Sequence, residues 1–199
     1  MLLKTAHRLA SPARAWVVGF TLFAVAGMSA EVHAYSYAAA GKEPLIEGRE
    51  LLLNAAQQHD KTAMQTELTA IHDELLYLEQ NHHVTLIEPL AKAAGAEDQQ
   101  AINEVMALAY KAEIERRLEG AVANIKDYQT AKVLVVKSKQ FLDLLQPMMD
   151  KAQWDKADAA LRVCLDAIGN PGVFGVGTKA ADPDAFTKAE KDVMTALGR

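Results

Sequence analysis

Residues 61–86 read KTAMQTELTAIHDELLYLEQNHHVTL. At 100° per residue, Met64, Leu68, Ile71, Leu75, Leu78 and Leu86 fall within about 80° of one another. A stripe of that width recurring at 3.6 residues is the core-facing side of a helix. No alternating pattern with hairpin turns competes with it elsewhere in the chain, so the fold class is all-α.

Working outward, the break before this stretch is His59-Asp60, with Asp60 suited to cap the helix that follows. A first helix runs back from about Gln58 to Pro44, which fits a first turn because its missing N–H costs nothing there. Downstream, Pro89 kinks or ends the second helix, Ala93-Ala94-Gly95-Ala96 forms a turn, and Glu97-Asp98 opens a third helix with acids at its positive end. Between Gln99 and Gln146 no proline intervenes. The stripe of Ile102, Val105, Met106 and Ala109 passes to Ile114, Leu118, Ala121 and Ile125, about 120–140° further round. That drift implies a wide buried face or two helices meeting near residues 126–129; one helix over the whole segment would be about 72 Å long, so two are expected. Pro147 ends the segment. Trp154, Ala157, Leu161, Cys164, Leu165 and Ile168 form the next stripe, Gly169-Asn170-Pro171-Gly172 stops it, and Asp182-Pro183 starts a last helix lined by Phe186, Val193 and Leu197. The expected architecture is an antiparallel helical bundle of five or six helices. Stacked helical hairpins of the TPR kind are the alternative, since His59-Asp60-Lys61 and Trp154-Asp155-Lys156 resemble each other, though at no recurring period.

The front of the chain is different in kind. Lys4, His7, Arg8 and Arg14 precede the apolar run 17–28 (VVGFTLFAVAGM). As a helix that run covers about 18 Å, against a hydrocarbon core of about 30 Å. Val32-His33-Ala34 then offers a peptidase site. This is the layout of a secretory signal. Residues 1–34 are therefore expected to be a cleavable signal peptide, 35–42 a flexible lead-in and 43–199 a single helical-bundle domain, periplasmic or secreted. No later run is apolar enough to span a membrane, since residues 133–136 are flanked by Lys132 and Lys137; a soluble protein is expected after cleavage.

The leader holds three of the 21 Lys and Arg and one of the 26 Asp and Glu, which leaves the remainder at a net charge of −7. Binding to phosphate backbones or anionic membrane surfaces needs clustered cations, so nucleic acid is not an expected partner. A single cysteine, Cys164, rules out an intrachain disulfide and haem attached through C-x-x-C-H. Lying mid-stripe, it is expected to be buried and inert.

The candidate ligands are histidines and glutamates. His72, Glu79 and His83 lie within about 40° on one flank of the second helix, and His82 projects onto its apolar stripe. Glu79-Gln80-Asn81-His82 has the E-x-x-H spacing that points a carboxylate and an imidazole into a bundle to hold iron or manganese; zinc, or copper with a methionine, also suits such donors. Glu113, on the stripe of Ile102, Met106 and Ala109, is the expected carboxylate from another helix, although Glu113 with Arg117 also reads as an i, i+4 pair on a solvated face. Lys126, Lys132, Lys137 and Lys139 read as a second solvated face. Residues 172–179 reverse the Lys-Thr order of a phosphate loop and read as a tight loop tucking Val173, Phe174 and Val176 over one end of the bundle. No nucleophile–base set emerges, so no catalytic residue is assigned. Leader, lead-in and Ala-rich helices together resemble exported helical proteins such as small cytochromes, metal-binding bundles and stress chaperones; no residue's role is carried over from them. The expected function is an exported, non-enzymatic binding or scaffold module that docks a protein partner or self-associates. The alternative is a metal-binding bundle using His72, Glu79, His82, His83 and Glu113.

Overall fold

The computed structural model describes Gly41, residues 43–172 and residues 176–199; the expected signal peptide and the expected lead-in apart from Gly41, with Val173 and Phe174, lie outside the described residues. Eight α-helices follow in order: α1 Pro44–Gln57, α2 Lys61–Ala70, α3 His72–His82, α4 Ile87–Gly95, α5 Gln99–Ala123, α6 Tyr128–Leu145, α7 Lys151–Ala167 and α8 Pro183–Leu197, with a 3₁₀ turn Gln146–Met148 before α7. The described residues contain no strand, and an isolated antiparallel bridge joins Asn170 to Lys179. The all-α bundle is as expected, with eight helices in place of five or six. The expected second helix is in fact two: Ile71 (φ −97°, ψ 1°) interrupts it, and His83 (φ +53°) ends it before Leu86. Pro89 and the expected turn at 93–96 lie largely within a further helix, α4, where Pro89 sits in the first turn and needs no N–H partner.

Aspartates set most of the boundaries. Asp60, Asp98, Asp127, Asp150 and Asp182 each accept hydrogen bonds from backbone amides of the helix they open. Each such cap contributes about 1 kcal/mol. The chain turns between α5 and α6 at residues 124–127, so the long proline-free segment is two helices.

The turn between α1 and α2 recurs between α4 and α5. In both, a left-handed residue (His59, φ +56°; Glu97, φ +57°) precedes the capping aspartate. In both, the aspartate amide bonds back to the first alanine of an Ala-Ala pair (Asp60 to Ala55, Asp98 to Ala93). The two turns meet through His59 Nδ1 and Glu97 Oε2, 2.5 Å apart. The counterpart of His59-Asp60-Lys61 is thus Glu97-Asp98-Gln99. Trp154-Asp155-Lys156 lies inside α7, where Asp155 pairs with Lys151.

Helix α5 is the centre of the bundle, packing against α1, α3, α4, α6 and α8. That is why its apolar positions drift around the axis: Ile102, Met106, Ala109, Tyr110, Ile114, Leu118 and Ala121 are all buried because the helix has neighbours on most sides. Among the described residues, no helix is long and apolar enough to cross a membrane.

Candidate functional site

Two polar clusters form on α5, on different faces. The first is built on Glu113, which was expected to be a ligand. Its carboxylate is buried and fully engaged: Arg116 donates Nε to Oε2 at 2.7 Å and Nη2 to Oε1 at 2.5 Å, and Arg117 Nε donates to Oε1 at 2.9 Å. Arg117 Nη2 continues to Glu43 Oε2 at 2.6 Å, and Lys137 Nζ lies 2.8 Å from Glu43 Oε1. The guanidinium of Arg117 also stacks on Phe141, 5.1 Å from its centroid. The Glu113–Arg117 pair is therefore no solvated face. It is a buried chain of alternating charge that ties α5 to the start of α1 and to α6, because Glu43 supplies the second carboxylate that a buried Arg117 requires. Half-buried Glu74 on α3 lies near Arg116, and burial raises its carboxyl above the usual range.

The second cluster is built on His82, the last residue of α3. Glu79, one turn earlier, accepts hydrogen bonds from the Leu86 and Ile87 amides at 2.6 and 2.8 Å. It caps α4, whose own N-cap, Leu86, has no side-chain acceptor. This clasp closes the α3–α4 bend around left-handed His83, whose φ costs roughly 1 kcal/mol. His82 is thereby pinned against α5, with 3% of its side chain exposed. Its Nδ1 lies 3.6 Å from Glu115 Oε2 and 3.9 Å from Glu119 Oε2, two carboxylates one turn apart on α5. The three ligand atoms lie within 4.8 Å of one another, the one such grouping among the described residues.

Charges surround this grouping. Gly198 ends α8 in the left-handed region, and Arg199 then reaches back so that its Nη2 donates to the His82 carbonyl at 2.6 Å and to Glu115 Oε2. Glu190 of α8 is raised above the usual carboxylate range by burial and by Glu119 and Glu115 beside it. Lys111 is lowered by burial and by Arg199.

The five expected ligands are thus not brought together. His82 sits in the second cluster, Glu113 in the first, and Glu79 is spent on backbone amides. His72 is half exposed, with Nδ1 3.4 Å from Asp73, and His83 is an exposed helix end. Glu115 and Glu119 are not among the expected ligands; their signal is the i, i+4 spacing, which puts both carboxylates on one flank of α5, about 120–160° round from Glu113. Several other expectations also need correcting. Val176 is 79% exposed rather than tucked over the bundle. Lys137 is almost buried against Glu43, and Lys139 pairs with Asp143 and lies over the Trp154 ring, so this basic stretch is partly internal. Cys164, by contrast, is fully buried as expected, and burial pushes its thiol up to about 12. No protein-family model, curated protein or solved structure matches the chain.

Proposed function

We propose that this protein is an exported helical bundle that binds a divalent transition metal through His82, Glu115 and Glu119. The observation that carries the reading is the spacing at His82: a buried imidazole faces two carboxylates at 3.6 and 3.9 Å, beyond direct hydrogen bonds. A tetrahedral zinc site with bonds of about 2.0–2.2 Å holds its ligands about 3.3–3.6 Å apart, so small side-chain shifts close the gap. One imidazole and two carboxylates suit zinc, iron or manganese rather than a soft copper ion. Three protein ligands also leave a position for water or for a donor brought by another molecule, which fits a carrier better than a closed structural site. The leader at residues 1–34 supports a periplasmic or secreted location. Docking of a protein partner has less behind it, since the exposed large apolar side chains are spread over α1, α3, α5, α6, α7 and the loop before α8.

The test is metal content and zinc titration of the exported protein, purified without a histidine tag. One zinc per chain is expected, with affinity falling at least about tenfold in His82→Ala, the loss that even an outer-shell partner causes. A wild-type protein that takes up no zinc, iron or manganese overturns the proposal, as does uptake unchanged in His82→Ala.

A further inference from the structure

We infer that Arg199 is an internal cation that stands in for the metal, so that metal binding and the Arg199–Glu115 ion pair exclude one another. This rests on the metal reading above and adds its regulation. Arg199 Nη2 bonds the same oxygen, Glu115 Oε2, that faces His82 Nδ1. A divalent ion bound to that oxygen would sit only a few ångströms from the guanidinium, close enough for strong like-charge repulsion in a partly buried site.

The guanidinium also sits there incompletely satisfied. Its Nε is buried without a hydrogen-bond partner, while Nη2 serves both Glu115 and the His82 carbonyl. Lys111 adds a like charge nearby. A group buried with an unmade hydrogen bond is easier to displace than one whose donors are all engaged. The contacts it would give up are those that hold the end of α8 to α3 and α5. Loading the site therefore releases Arg199 and loosens the residues after Met194, whose carbonyl accepts the Arg199 amide at 2.9 Å. The occupancy of the metal site is thereby coupled to the mobility of the end of α8.

The experiment is a zinc titration of the full protein and its Arg199→Gln variant, with amide hydrogen exchange of the wild type followed with and without zinc. The expected result is affinity higher by about tenfold in Arg199→Gln, the gain from removing a competitor that holds the site about nine-tenths of the time. Faster exchange at residues 195–199 on zinc loading is expected in the wild type. Equal or weaker zinc affinity in Arg199→Gln, with exchange at 195–199 unchanged or slowed by zinc, overturns the inference and leaves the metal site standing. Zinc uptake by neither protein defeats the site itself, and the inference with it.

Discussion

Helix α5 carries two charge clusters that differ in one physical respect. Around Glu113 every carboxylate oxygen is met by a guanidinium at 2.5–2.9 Å, and Glu43 and Lys137 extend the chain of pairs at 2.6 and 2.8 Å. Around His82 the imidazole is as deeply buried, yet its carboxylates stand off at 3.6 and 3.9 Å and Arg199, which binds Glu115, keeps a buried donor unmatched. Burial and charge are common to both. What separates them is how closely opposite charges meet: Glu43 Oε1, like Arg199 Nε, makes no hydrogen bond, yet it lies 2.8 Å from the Lys137 ammonium. A closely paired cluster is a brace, and one whose charges stand apart has room left for a ligand.

The sharpest way to break this contrast is Arg117→Ala. It takes one of two cations from Glu43 and one of two from Glu113, and removing one side of a buried ion pair costs about 3–5 kcal/mol. For a domain of this size that lowers the melting temperature by roughly 6–20 °C. Zinc affinity, compared at a temperature where both proteins are folded, should stay within about twofold, because Arg117 faces away from His82. A loss under about 1 kcal/mol in urea unfolding would show that the Glu113 cluster is no brace.

How far the sequence reached follows the same division. Caps were readable because they are local: Asp60, Asp98 and Asp182 stand immediately before the helices they open. The break at Ile71 was not: it coincides with a tertiary contact, the close approach of α1, where a Cβ on Gly48 would meet Ile71 Cγ2 at 2.6 Å. Left-handed His83 carries no glycine to announce it. Glu113 was correctly placed on a buried stripe and paired with Arg117 of its own helix, but the Glu43 that shares Arg117 is a residue no periodicity connects to α5. Likewise His82 was rightly set facing the core, while Glu115 and Glu119 became its neighbours only once the end of α3 was seen to lie along α5. Periodicity tells which side of a helix is inside, not which helix it meets there.

A smaller effect should come from the residue that joins neither cluster but aims one of them. Glu79→Ala removes the acceptor for the Leu86 and Ile87 amides, and loss of a helix cap costs about 1 kcal/mol. It should also weaken zinc binding, since the α3–α4 bend fixes His82, and Glu79→Gln should restore much of both because its amide oxygen can accept the same bonds. If Glu79→Ala lowers stability and leaves zinc affinity untouched, His82 is positioned by its other contacts, which are α5, Arg199 and the ring of Tyr77 6.1 Å from its own.

The smallest effect tests whether Glu74 belongs to the brace. Arg116 and Arg117 favour its charged form, while Glu113 and Glu43 oppose it, and burial, the largest influence, tips the balance so that its folded pKa lies above the ordinary 4.5. For an acid raised on folding, the native state holds its proton more tightly than the unfolded chain does. The ionised carboxylate then detracts from stability at all pH values above the folded pKa, and the penalty fades as pH falls toward 4.5, below which both states are protonated. Glu74→Gln should therefore be slightly more stable than the wild type at pH 7 in urea unfolding, with the difference closing as the pH approaches 4.5. If instead Glu74→Gln is the less stable at pH 7, attraction to Arg116 outweighs burial. Glu74 would then be a working member of the closely paired cluster, and the brace would extend from α1, α5 and α6 to α3, the helix that carries His82.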